Sequence, residues 1–183
     1  MFSTFPIVRR LHELLWYLDQ AVTLVDGDAD RAPLVSQFER VVALSNLPPD
    51  QLKDVDIDAE FDRARPLLIE ASRIARGIGD AIGQTTRGGR ILGPGSDLMG
   101  SKLAQIDLSG QTLRGSLLIG ADLQSARLNQ CDLLGVDMRD ANLAGADLDG
   151  AIYLTQMQVN SARGDDSTVL PDGFSRPSHW KAL

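Results

Sequence analysis

A catalytic or metal-binding role has few residues to draw on in this chain: His12, His179, the lone Cys131 and a long series of aspartates. On a helix the positions four either side of His12 are Val8 and Trp16, which excludes a two-histidine zinc motif. His179 likewise has no cysteine or acidic residue at metal-ligand spacing. No Gly-x-Ser-x-Gly elbow is present. Gly93-Pro94-Gly95-Ser96 could suggest a phosphate loop, but no Lys-Ser/Thr pair follows and the strand-loop-helix context is missing. A single cysteine forms no internal disulfide, and the position of Cys131 in the pattern below marks it as a buried space-filler. The aspartates recur with a period, so they read as fold residues and not as acid/base pairs in a cleft. No catalytic residue, metal ligand or cofactor follows from this sequence.

What positions these side chains is a period of five. A large apolar residue returns at Leu98, Leu103, Leu108, Leu113, Leu118, Leu123, Leu128, Leu133, Met138, Leu143 and Leu148. Steps of five scatter around an α-helix at about 100° per residue, and in a flat strand they alternate faces. They fit a chain that turns a corner every five residues and aims the same member inward each time. Two residues earlier lies a mostly small companion, as at Ser116, Ala121, Ala126, Cys131 and Ala141, on the same side of an extended segment. Gln111 is the polar exception, expected to bond a neighbouring backbone group or to mark a loosened first coil. Two residues after each large one comes the corner. Glycine fills it at 100, 110, 115, 120, 135, 145 and 150, as a type II turn prefers. Gln105, Ser125, Gln130 and Asp140 fill the rest, where type I-like or irregular turns are expected. Just before the large residue the chain favours Asp or Asn, pointing outward.

The units Ala121-Asp122-Leu123, Ala141-Asn142-Leu143 and Ala146-Asp147-Leu148 resemble the pentapeptide-repeat family. The resemblance implies a right-handed quadrilateral β-helix with four repeats per coil, so that positions twenty apart stack. It also brings in that family's best-known activity, mimicry of duplex DNA by members that bind the type II topoisomerase gyrase. Eleven repeats make just under three coils, a rod of about 14 Å at about 4.8 Å per coil. One turn of DNA is about 34 Å. The outward columns alternate in sign, with Asp107 over Arg127 and Asp147, and Lys102 over Asp122 and Asn142. DNA mimicry is therefore the second reading, and a head-to-head homodimer would revive it by doubling the length.

Elsewhere the period changes. Ile7, Leu11, Leu14, Leu15, Leu18, Val22 and Val25 follow a helical stripe after Pro6, with Gly27 as the stop. Leu34, Phe38, Val41 and Val42 predict a second helix, with Asp30 as N-cap and Pro33 in its first turn. A third carries Phe61, Ala64, Leu67, Leu68, Ala71, Ile74, Ala75, Ile78 and Ile82, with Pro66 starting or kinking it. Beyond the repeats, Thr155 caps a short helix that Gly164 stops, covering the open end of the coil, and an irregular tail follows. The expected architecture is α+β: a three-helix bundle over 1–84, a linker over 85–95, the repeat solenoid over 96–154, and a capping helix and tail over 155–183.

A net charge of −7 argues against nucleic acid or an anionic membrane as a direct partner. The chain has no run of about 18 apolar residues and no basic-then-apolar leader, so a bacterial cytoplasmic location is expected. Stacking by twenties gathers Met99, Leu117, Ile119 and Leu134 on an otherwise polar exterior, a candidate docking face for the helical bundle or for another protein. Protein–protein interaction, as a scaffold that presents a rigid surface, is the expected role.

Overall fold

In the computed structural model, which describes residues 4–77 and 89–180, the chain divides into the units Met1–Gly77 and Ile78–Leu183. The first holds α1 (Phe5–Leu24), α2 (Asp28–Ser45), the single-turn α3 (Pro49–Leu52) and α4 (Ile57–Arg76). The three long helices pack on one another in every pairing. α1 buries Leu11, Leu14, Tyr17, Leu18 and Ala21, the spacing of one helical face.

Several boundaries differ from expectation. α1 ends at Leu24, and Gly27 takes the N-cap position of α2, so Asp30 lies inside the first turn of α2 and not at its cap. There, with Asp28, it favours the positive helix end. α3 is an additional helix in the proline-rich connection. α4 is capped by Asp56, whose side chain accepts the Ala59 N–H, and carries Pro66 in its interior, not at its start. It stops at Gly77, which adopts a left-handed φ of 60°. Ile78 and Ile82, expected on its stripe, lie beyond that stop and outside the described residues. The helices are tied by Glu60, 4% exposed, which accepts bonds from Gln37, from Arg40 through two nitrogens and from Arg63. Four donor nitrogens from three residues offset the cost of burying that carboxylate.

In the second unit the chain winds in coils of about twenty residues. Parallel bridges join Asp97 to Leu117 and then Asp137, Lys102 to Asp122 and then Asn142, Asp107 to Arg127 and then Asp147, and Thr112 to Asp132 and then Ile152. Among the described residues no side is a continuous strand, and each contributes one such bridge. All eleven predicted inward residues are at most 1% exposed, and Cys131 is fully buried. At the first coil the smaller inward positions Ser96, Ile106 and Gln111 are only half-buried. The Gln111 N–H donates to the Leu108 carbonyl and its own carbonyl accepts the Asp132 N–H, as at the other repeats.

Every corner has the same backbone form. Each large inward residue accepts the N–H three residues on, from Ser101 to Leu98 through to Ala151 to Leu148. The third turn residue always has positive φ, at the seven glycines and equally at Gln105 (60°), Ser125 (56°), Gln130 (55°) and Asp140 (57°). This is the type II signature. The expectation of type I-like or irregular turns at those four positions is therefore wrong: the coil imposes one geometry, and non-glycine residues bear its steric cost.

The winding runs past the repeats at both ends. Leu92 is 2% exposed within the tube core, and Gly95 donates to the Arg114 carbonyl as later corners do to theirs. The stretch read as a linker therefore reaches into the coil. At the other end Arg163 bridges Asn142 and Val169 bridges Asp147, spacings of 21 and 22 that fall outside the five-residue register. Between the Ile152 and Arg163 bridges α5 (Gln156–Ser161) replaces one side, with a capping box between Thr155 and Gln158. The helix finishes at Ser161 with Ala162 at its C-cap, short of the expected Gly164. Gly164 instead lies under the Trp180 ring, where a Cβ would come within 2.6 Å. The tail is held by Asp165, whose Oδ1 accepts the N–H groups of Gly145, Ser167 and Thr168 and the Ser167 hydroxyl.

Two measurements test this account. Gln105→Gly should stabilise the unit by a few tenths to about 1 kcal/mol in urea unfolding, because glycine removes left-handed strain while adding unfolded-state entropy. Gly120→Ala should destabilise it by about 1 kcal/mol or more, its Cβ meeting nothing but a φ of +62°. The Ser167 hydroxyl, followed by the surrounding N–H groups, holds the Asp165 carboxyl below its ordinary range. A folded-state pKa lowered in this way stabilises above about pH 4 and loses its effect as pH falls through the folded value. In a Trp16→Phe background, Trp180 fluorescence should report tail release on acidification below about pH 4, and Asp165→Asn should flatten that transition because the tail is already loosened at neutral pH.

Candidate interaction surface

The outward aspartates are engaged with their own backbone. Oδ1 of Asp97, Asp107, Asp122, Asp132, Asp137, Asn142 and Asp147 each accepts the N–H two residues on, at 2.9 to 3.2 Å. That N–H belongs to the first corner residue, and an Asx turn of this type braces the bend. These are the seven acidic or amide positions of the repeat, so their spacing follows from the turn. Sequence reasoning placed them outward but missed this bond, although Asn142 carried the clue: an amide oxygen serves as well as a carboxylate.

The same carboxylates and neighbouring side chains form mixed ladders between coils. Asn142 donates to Asp122 at 3.1 Å, Asn129 to Asp147 at 3.0 Å, and Arg127 lies 3.8 Å from Asp107. Arg139 clasps Asp137 through two nitrogens, and this bond holds the Asp137 carboxyl below its usual range. Asp132 is fully buried and takes a bond from Arg114.

The four apolar residues singled out on the exterior fall on two adjoining sides. Leu117 bridges Asp97 and Asp137. Met99, Ile119 and Arg139 stack in the next column, where Gly100 donates to the Ile119 carbonyl and Gly120 to the Arg139 carbonyl. Leu134 stacks over Arg114 on the side that precedes the corner. Met99 is 44% and Leu117 39% exposed, while Ile119 and Leu134 are half-buried. Met99, Leu117 and Ile119 therefore lie on one side of the tube, with Leu134 on the neighbouring one.

Arg90 was not singled out, and it closes the lower edge of this side. Its Nη1 donates to the carbonyls of Asp97 and Met99 and to Ser101 Oγ. It lies outside the five-residue register, so the repeat gives no signal for it.

The other candidates for chemistry are dispersed. His12 is exposed on α1, His179 Nε2 lies 3.0 Å from the Ala162 carbonyl, and Cys131 is in the tube core. Gly93 and Ser96 form part of the turn into the coil, with the Gly93 carbonyl accepting from Ser116 Oγ and from the Ser96 N–H. Among the described residues no three His, Cys, Asp or Glu side chains cluster as a metal site, and no helix is long and apolar enough to cross a membrane.

Residues 116–152 match the family model of pentapeptide repeats in eight copies. The uncharacterized protein YybG of Bacillus subtilis (strain 168) is 41% identical over 181 residues, an alignment that takes in 99% of this chain, helices included, and 63% of the relative's length. A solved pentapeptide repeat protein, Rfr23 from the cyanobacterium Cyanothece 51142, is 32% identical over 40% of this chain and 52% of its own, with a TM-score of 0.33. Another, from Nostoc Pcc 7120, is 26% identical over 45% of this chain and 75% of its own, with a TM-score of 0.18. With a large inward residue every fifth position, an Asx turn before most bends and parallel bridges twenty residues apart, residues 116–152 carry the pentapeptide repeats that this family model describes.

Proposed function

We propose that this chain is a non-enzymatic, cytoplasmic bacterial protein-interaction module. On this reading the repeat unit is a right-handed quadrilateral β-helix closed by α5 as its cap, the first unit is a helical bundle, and the binding face is formed by Met99, Leu117, Ile119 and Leu134. The observation that carries it is the exposure of Met99 and Leu117 on one side of the tube, among the charged side chains of Asp97, Asp137 and Arg139. A rigid wall with an apolar centre and a polar rim has the anatomy of a protein contact. The exposed histidine and scattered aspartates supply no converging acid, base or nucleophile.

DNA mimicry toward a topoisomerase draws less support. The aspartates that would form a phosphate-like stripe are braced against backbone N–H groups, and Arg127 and Arg139 interrupt them. Gyrase supercoiling unaffected by micromolar protein is the expected result.

Leu117→Asp combined with Ile119→Asp should abolish association with a protein partner while circular dichroism and the unfolding midpoint stay near those of the parent, because neither side chain enters the tube core. Retained association in the double variant would refute this face as the binding surface.

A further inference from the structure

The side bearing Leu117 has a charge layout that is its own complement. Its first outward column reads Asp97, Leu117, Asp137. Its second reads Met99, Ile119, Arg139, with the guanidinium of Arg90 set on the Met99 carbonyl and Ser101 Oγ at the lower end. One column thus has an acid at each end, the other has a cation at each end, and the middle row is aliphatic. Asp97 and Arg139 are exposed.

A two-fold axis parallel to the tube exchanges the two columns when one such side is laid on its image. Asp137 then faces Arg139 of the other copy, Asp97 faces the Met99 and Arg90 end, and Leu117 faces Ile119. The alternative axis, across the tube, puts Asp97 opposite Asp137 and Met99 opposite Arg139, which sets like charges together. Flat β-surfaces pack at about 10 Å, close enough for these side chains to meet. Isologous contacts of this kind are the commonest basis of homodimers.

We propose that two copies of this chain associate through this side, tubes parallel, with Leu117 and Ile119 at the centre and the Asp137–Arg139 pairs crossing the contact. The proposal rests on the binding face described above and names its occupant. Three coils at about 4.8 Å give a side only about 14 Å tall, so the contact is at the small end for protein interfaces and the dimer is concentration-dependent.

The test uses the full chain and two charge variants in sedimentation equilibrium. Wild type should pass from the mass of the 19.8 kDa chain toward twice that value as concentration rises through the micromolar range. Arg139→Asp makes both ends of the row acidic and Asp137→Arg makes both basic. Each variant alone should dimerise about tenfold or more weakly, since like charges would face each other, and an equimolar mixture should recover dimers containing one copy of each. Thermal unfolding of each variant keeps loss of fold separate from loss of association. A wild type that stays monomeric to several hundred micromolar would overturn self-association. So would a mixture no more dimeric than its components. Either result leaves open a different protein on the same face, which the Leu117/Ile119 variant tests independently. Dimers unaffected by Leu117→Asp with Ile119→Asp would place the contact elsewhere and overturn self-association through this side.

Discussion

The fold of the second unit depends on a left-handed residue at every fifth position. Only there can an L-peptide turn sharply enough to close a coil in twenty residues while every side presents the same inward pair. The inward leucines follow from this constraint, because a regular corner returns the same side chain to the same place in each coil. So do the parallel bridges, since coils of equal length bring each side beneath its successor. The four non-glycine corners are the clearest sign of which effect dominates. Gln105, Ser125, Gln130 and Asp140 take φ values of 55° to 60°, although such residues ordinarily avoid that region. The surrounding ladder and core impose the conformation.

The acidic composition has the same origin. Seven outward Asp or Asn side chains each hold the N–H of the bend that follows. They are required as acceptors, and their charge accompanies that role. A net charge of −7 is therefore weak evidence for a polyanion-like surface. Arginines at 114, 127 and 139 sit beside three of these groups. Four positions depart from this pattern, Lys102, Thr112, Leu117 and Arg127, and of these Leu117 alone places an aliphatic side chain there.

Much of this was legible in the residues because a period of five has so few structural solutions. Leu98 to Leu148, the small inward companions and the helical stripe of α1 were all readable from spacing alone. What was hidden had no period. Arg90 and Leu92 precede the register, Arg163 and Val169 fall out of step with it by one and two residues, and Pro66 is tolerated inside α4 where propensity places it at a start. The proposed interaction face was half visible. Stacking by twenties located its members, but the Arg90 edge and the Asp137–Arg139 clasp, on which its self-complementary charge depends, needed coordinates.

The two poles of the tube are finished differently. At the far end the carbonyls of Leu133 and Val136 are taken by Gln158 Nε2, that of Asp140 by Arg163, and that of Leu143 by the Thr168 hydroxyl. Main chain still pairs on two sides, where Arg163 and Val169 donate to the Ala141 and Ala146 carbonyls, so the last layer is built partly of side chains and partly of backbone. A change in repeat number is accommodated in discrete steps: losing five residues rotates everything downstream by about a quarter revolution, whereas losing twenty removes one layer and leaves every remaining column in phase. Divergence in length among such chains should accordingly favour whole layers wherever an exterior face is under selection.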